Sequence, residues 1–286
     1  MGSSDPESAA ARRTVVVTGS GSGIGAACAR RLAAAPARVI GVDLHDAGVV
    51  ADLGTPDGRR AAVDRVAELA PEGVDSLVTC AGLAGAPSRP GSLLASVNYF
   101  GTVEILQALR PLLGRRANSA AVAISSNSTT IQPGVPMELV EACLAGDEDG
   151  ARRLADEAGS MAAYPATKIA VARWVRREAV SSAWVGAGIR LNAVAPGMVD
   201  TPLVAEGRAD PVVGPLLELF PIPAGRPGRP EEIAALVDFL LGPDGGFFCG
   251  SVVFVDGGSD ALLRGPDWPA PWDLDLPGPG SASPAP

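Results

Sequence analysis

The chain has 286 residues, which leaves about 250 for one large domain once flexible ends are set aside. Hydrophobic residues make up 47% and aromatic ones only 4%, so wholesale disorder is excluded and the core has to be built from Val, Leu, Ile and Ala, as in layered α/β domains. A net charge of −9 with no basic patch excludes nucleic acid as the expected partner, no run reaches the roughly 20 apolar residues of a membrane helix, and residues 1–13 hold no apolar stretch of the signal-peptide kind, so a cytoplasmic protein with no membrane partner is expected.

Residues 14–19 form a β-branched run that ends in glycine and predict a buried strand. A helix is expected over 24–35, closed by Pro36, and a second strand over 38–43. Apolar residues at helical spacing predict a helix over 58–70, then a strand over 74–80 and a long helix over 92–113 containing Asn98. A strand over 119–126 follows. The alternation then breaks: residues 131–163 are acidic and Ala-rich, with helical patches around 137–145 and 148–158. A helix over 164–185 beginning near Tyr164-Pro165, a strand over 188–194, a helix over 231–241 and a strand over 251–255 complete the series. Such alternation predicts an α/β fold, a doubly wound parallel sheet with helices on both faces and a small helical insertion at about 131–163. The expected organisation is a flexible N-terminus over 1–12, a single catalytic domain over 13–264, and a Pro/Gly-rich mobile tail over 265–286 carrying Trp268 and Trp272.

Cys28, Cys80, Cys143 and Cys249 form no C-x-x-C pair, and buried thiols are expected. No metal site is expected. Lysine and arginine total 23, yet Lys168 is the single lysine, which points to a position where a compact ammonium is needed and a planar guanidinium fails. His45 is the single histidine and lies just past the second strand, far from the expected chemistry.

After the first strand comes Thr18-Gly19-Ser20-Gly21-Ser22-Gly23-Ile24-Gly25, glycines opening a helix. Missing Cβ atoms let the chain turn tightly and approach a pyrophosphate, while the helix N-terminus offers free N–H groups. Gly19, Ser22, Gly23 and Ile24 are therefore candidate cofactor contacts. Asp43 ends the second strand 18 residues past Gly25, where a carboxylate can bind the adenosine ribose hydroxyls and repel a 2′-phosphate. With no Arg or Lys in 19–25, NAD is favoured over NADP. Of the two tyrosines, only Tyr164 has a lysine four residues on, and i and i+4 share a helix face. A nearby ammonium favours the phenolate, which would bring Tyr164 into use as an acid/base.

These segments, taken with Cys80-Ala81-Gly82, S-V-N-Y-F-G at 96–101, I-S-S at 124–126, Y-P-A-T-K at 164–168, N-A-V-A-P-G at 192–197 and V-D-G-G at 255–258, resemble the short-chain dehydrogenase/reductase family over residues 13–264. The resemblance implies a Rossmann-type fold. It implies Ser126 as the serine that binds the substrate oxygen, with Ser125 the alternative if the register is off by one, and Tyr164 as the proton carrier. Lys168 would lower the Tyr164 pKa and hold the nicotinamide ribose, and Asn98 would kink its helix and support a water. Pro196, Gly197, Val199 and Thr201 would border the nicotinamide, Asp52 and Leu53 would flank the adenine, and Cys80, Ala81 and Gly82 would keep a backbone role where the family often reads N-N-A-G. Residues 202–223 would be the substrate lid, whose apolar side chains suggest an apolar, uncharged alcohol or ketone of steroid, terpenoid or alicyclic type. A homodimer through 231–256 is expected, with a tetramer possible, because the 131–163 insertion would block the face formed by the helices of Asn98 and Tyr164. The competing readings are an acyl-carrier-protein (3-oxoacyl) ketoreductase, a non-catalytic NAD-binding sensor, and a scaffold that uses the insertion to recruit a partner.

Overall fold

The computed structural model describes residues 13–266, 268 and 269. The N-terminus over 1–12 and most of the tail, Trp272 included, lie outside the described residues.

Seven short strands, β1 (Arg13–Thr18), β2 (Ala37–Asp43), β3 (Val49–Val50), β4 (Ser76–Thr79), β5 (Ala120–Ile124), β6 (Arg190–Pro196) and β7 (Val252–Val255), form one sheet in the order β3-β2-β1-β4-β5-β6-β7. Every pairing is parallel. The helices that cover it are, in chain order, α1 (Gly23–Ala33), α2 (Pro56–Leu69), α3 (Gly91–Leu94), a π-helical turn (Ala95–Phe100), α4 (Gly101–Leu113), α5 (Ser128–Ile131), α6 (Met137–Ala145), α7 (Glu148–Ala158), α8 (Ser160–Ala179), α9 (Pro202–Ala209), α10 (Val213–Glu218), α11 (Pro230–Leu241) and α12 (Ser259–Arg264). The expected doubly wound α/β architecture is therefore present.

Strand periodicity divides the core in two. Val15, Val17, Val78 and Val122 face one side with Cys28 of α1 and Ile233 and Val237 of α11. Val16, Leu77 and Ala121 face the other, against residues of α2, α4 and α8. Both faces are covered, which is why β1, β4 and β5 read as continuous apolar or small-residue runs rather than alternating ones. Strand β1 pairs with β2 on one side and β4 on the other, so successive crossovers leave it in opposite directions. The crevice that opens at the carboxyl ends of β1 and β4 is the switch point of the sheet, where such folds bind ligands.

Two expectations about α8 need correction. The helix begins at Ser160 and ends at Ala179, so Tyr164-Pro165 lies in its second turn rather than at its start, and residues 160–163 belong to the catalytic helix rather than the insertion. Proline there removes the N–H that would reach the carbonyl of Met161. The Gln132 side-chain amide donates to that carbonyl at 3.4 Å, filling the vacancy. The turn expected to close the 164–185 helix is instead a separate segment in which Trp184 packs edge-to-face on Trp174, ring centroids 6.0 Å apart.

The insertion consists of α6 and α7, as the two helical patches imply, and it lies over α3, the π-helical turn and α8. An ion cluster pins it. Arg59 of α2 is buried, with its Nε 2.6 Å from Glu104 of α4 and a second bond to Glu148 of α7. Ser96 Oγ donates to Glu148 at 3.0 Å, and Arg152 of α7 donates back to Ser96. Cutting one member of such a buried cluster leaves carboxylates unpaired. Arg59→Ala should lower the unfolding free energy measured in urea by about 3 kcal/mol. A loss under about 1 kcal/mol would place the cluster among ordinary surface pairs.

Candidate active site

Two tight turns build the site. Gly19 has φ +66°, and a Cβ there would lie 2.7 Å from the backbone nitrogen of Ala81. A Cβ on Gly25 would lie 1.9 Å from the Gly19 carbonyl oxygen. The glycine turn thus folds onto itself and onto Cys80-Ala81-Gly82, which is held in place as Ala81 N–H donates to Thr18 Oγ1 at 3.2 Å. At the α1 N-terminus Ser22 makes no side-chain cap bond, and the first turn carries no acidic residue. The positive end of α1 is therefore unneutralised by the protein, which suits an anionic diphosphate. Gly23 approaches Thr201, which caps α9 by accepting from Val204 N–H at 3.3 Å, so Thr201 stands beside the α1 N-terminus. Ile24 packs into the core behind the loop.

Asp43 is fixed at the tip of β2: its Oδ2 accepts from Gly21 N–H at 2.8 Å and its Oδ1 from Leu44 N–H at 2.7 Å. It holds the phosphate turn as well as presenting a carboxylate beside it. Asp52 is exposed and accepts from Gly54 N–H at 2.9 Å. Leu53 departs from expectation, because its side chain is buried in the main core and its carbonyl is taken by Arg59, so only its backbone can border a base. Pro196 and Val199 are buried, and Gly197 N–H donates to Val255 O at 3.0 Å, which ties this turn to the end of β7. His45 is exposed in the turn after β2.

The candidate catalytic groups converge behind this cradle. Asn98 lies in the π-helical turn, fully buried, where the regular α-helical hydrogen bonding is interrupted. Its side chain clamps the loop after β4, accepting from Leu83 N–H at 2.7 Å and donating to Leu83 O at 3.0 Å. It also donates to Thr167 Oγ1 at 3.4 Å, and Thr167 donates to the Tyr164 carbonyl at 2.7 Å. A Cβ on Gly82 would meet both Asn98 Oδ1 and Lys168 Nζ, which puts all three within one small volume. Lys168 Nζ donates to Ile124 O at 3.0 Å. At the end of β5, Ser125 Oγ donates to the Lys168 carbonyl at 2.9 Å and is spent on structure, whereas the Ser126 hydroxyl acts on the Tyr164 phenol, favouring its ionisation.

Burial raises the Tyr164 pKa above its ordinary value, opposed by the Ser126 hydroxyl, which lowers it. Burial pulls Lys168 down to about 8, opposed by the neighbouring Cys80 thiol. The fold brings Cys80 together with Cys28, although 51 residues separate them in the sequence, and hydrogen bonding to Cys28 followed by burial pushes the Cys80 thiol up. All four cysteines are free.

Helix α9 buries none of its residues, and Val212, Leu216 and Leu219 around α10 are exposed. Arg89, from the loop after β4, reaches Glu206 of α9 at 2.8 Å. No sequence signal links those two residues, 117 positions apart. The Gln132 and Ile124 carbonyl contacts are equally invisible in sequence, whereas Thr167 could have been singled out as a polar residue inside Y-P-A-T-K.

Residues 13–137 match the short chain dehydrogenase family model, and residues 149–260 match the model described as enoyl-(acyl carrier protein) reductase. The chain is 39% identical to 3-alpha-hydroxysteroid dehydrogenase/carbonyl reductase of Comamonas testosteroni, over 87% of this chain and 97% of that protein. It is 35% identical to cis-4-hydroxycyclohexanecarboxylate dehydrogenase of Sinomonas cyclohexanicum, over 88% and 98%. Among solved structures, 3-alpha-hydroxysteroid dehydrogenase from Pseudomonas sp. B-0831 complexed with NADH superposes with a TM-score of 0.84 at 45% identity, covering 88% of this chain and 98% of that one.

The depressed Lys168 pKa has a measurable consequence. The group binds fewer protons folded than unfolded between about 8 and its ordinary value of 10.5, so its stability penalty is complete below about 8 and gone above 10.5. Wild-type stability relative to Lys168→Met should therefore rise as pH is taken from 8 to 10.5 in urea titrations. A difference that is flat or falls with pH would contradict the burial of an unpaired ammonium.

Proposed function

The chain belongs to the short-chain dehydrogenase family, and on that premise we propose that it is an NAD-dependent oxidoreductase interconverting a secondary alcohol and a ketone on an apolar, ring-bearing substrate of steroid, terpenoid or alicyclic type. One observation carries the reading: Lys168 Nζ and Asn98 meet against Gly82 beside the glycine turn, and the Ser126 hydroxyl at the end of β5 acts on the Tyr164 phenol one helical turn from Lys168.

The bound dinucleotide would supply the carbon that accepts or returns a hydride. The protein's part is positioning and proton movement. Gly19, Ser22, Gly23, Ile24 and Thr201 would hold the diphosphate, Asp43 the adenosine ribose, and Asp52 with the Leu53 backbone the adenine. Cys80, Ala81, Gly82, Pro196, Gly197 and Val199 would form the walls toward the nicotinamide. Ser126 orients the substrate oxygen through its hydroxyl. In the oxidative direction Tyr164 takes the hydroxyl proton as the C–H bond breaks; in the reductive direction it donates the proton to the ketone oxygen. Lys168 holds the ribose hydroxyls, and Asn98 keeps the loop over Lys168 closed.

Cofactor choice follows from Asp43. Both of its oxygens are oriented by main-chain donors, so its charge is fixed beside the ribose position and disfavours a 2′-phosphate. The relatives that act on a hydroxysteroid and on a hydroxylated cyclohexane, together with the apolar lid, support the substrate class. The insertion covers the helices of Asn98 and Tyr164, while Phe239 of α11 and Phe247 remain exposed near β7. That distribution supports a homodimer through 231–256.

Appearance of reduced nicotinamide from NAD with a panel of hydroxysteroids and cyclohexanols tests the reading. Turnover should occur with NAD in preference to NADP, and Tyr164→Phe should retain NAD binding while losing at least about 100-fold in kcat. Wild-type kcat in Tyr164→Phe would defeat the acid/base assignment.

A further inference from the structure

Helix α5, which follows directly on Ser126, is a single turn with only Ser128 buried among its own residues. So short a helix does not hold itself in place. It is nonetheless coupled to the catalytic serine, because Ser128 N–H donates to Ser126 Oγ at 3.1 Å and Thr129 Oγ1 donates to Ser126 O at 2.8 Å. What fixes the turn comes from the far end of the chain. Asn127 Nδ2 donates to Asp256 at 3.3 Å, and Thr130 Oγ1 donates to the carboxylate of Asp260.

The two carboxylates act as one unit. Asp256 Oδ2 accepts from Asp260 N–H at 2.6 Å, and its Oδ1 accepts from Gly258 N–H at 3.1 Å. Asp260 is 8% exposed and is paired with Arg264 at 2.6 Å. Arg264 in turn lies over Phe254 at 5.6 Å and over Trp268 at 4.4 Å from the ring centroids. A buried carboxylate held this way has little freedom, so the hydroxyl of Thr130 is tied to a fixed point. Asp256 also fills the space behind Gly197, where a Cβ would lie 2.6 Å from Asp256 Cβ.

We propose that Asp260, aligned by Asp256, is a positioning residue that holds the α5 turn so that the Ser126 hydroxyl stays against the Tyr164 phenol. The inference rests on the proposed dehydrogenase reading through the role of Ser126. Asp260 touches no reacting atom; it acts through Thr130.

The test is a double-mutant cycle. With NAD and a 3α-hydroxysteroid, Asp260→Ala should lower kcat about 10- to 100-fold, the loss that follows from a displacement of roughly 1 Å, with the KM for NAD changed by less than about twofold. Asp260→Asn, whose amide oxygen can still accept from Thr130, should recover most of that kcat. In a Ser126→Ala background Asp260→Ala should cost less than about threefold, because the group it positions is gone. Equal losses in both backgrounds, or full kcat in Asp260→Ala, would overturn the inference. Thr130→Val removes the same bond without a buried charge and carries the cycle if Asp260→Ala does not fold. A substrate-free readout is the 295 nm titration of Tyr164 in a Tyr99→Phe background. Asp260→Ala should raise that pKa as Ser126→Ala does, with no further rise in the double variant, and an unchanged pKa in folded Asp260→Ala would refute the positioning role. Full kcat in Ser126→Ala would remove the Ser126 role and this inference with it, whereas lost kcat there combined with full kcat in Asp260→Ala removes the inference alone.

Discussion

An ammonium buried without a carboxylate is the condition on which this site depends. Lys168 reaches its place through the packed interior, its Nζ hydrogen-bonds only the Ile124 carbonyl among the described residues, and burial, against the opposing pull of the Cys80 thiol, takes it down to about 8. Burying such a charge is costly, and a ligand that hydrogen-bonds the ammonium recovers part of that cost. The same burial lifts Tyr164, so the phenol is a weaker acid and the ammonium a stronger one than either is in water.

The fold supplies this condition by placing four strand ends at one crevice. The carboxyl ends of β1, β4, β5 and β6 deliver the glycine turn, the Cys80–Gly82 segment, Ser126 and Pro196-Gly197 respectively, and the opposed crossovers at β1 keep the crevice open. The devices that then hold each segment still are modest polar contacts: Asn98 on Leu83, Ser125 on the Lys168 carbonyl, Gln132 on the carbonyl left free by Pro165, and the 256–260 carboxylates on α5. None of these is itself chemistry. Each removes a degree of freedom from a segment that carries it.

Much of this was legible in the sequence. The glycine spacing, Asp43 at a strand end and the i, i+4 relation of Tyr164 and Lys168 are local patterns, and local patterns survive folding. The two helices of the insertion were legible for the same reason, since α6 and α7 fall on the residues that helical periodicity marks. The start of α8 was misread because Pro165 looks like a helix opener, and the side chain that compensates for it lies 33 residues upstream. The burial of the Leu53 side chain in the core left no mark, because a Leu after an Asp in a short connecting turn reads the same in either role. The i, i+4 relation puts Lys168 and Tyr164 on one helix face, but the carbonyl that Nζ meets lies 44 residues away and no spacing marks it. Short helices such as α5 and α12, and the contact between them, leave no periodic trace at all.

The central claim is that burial sets the phenol and the ammonium against their ordinary behaviour until a dinucleotide arrives. The most direct test is the tyrosinate absorbance of Tyr164, taken as the difference between wild type and Tyr164→Phe, titrated with and without saturating NAD. The account predicts a pKa above 10 in the free protein and a clear fall toward neutrality on NAD binding. An identical pKa in both states, or a rise with NAD, would contradict it.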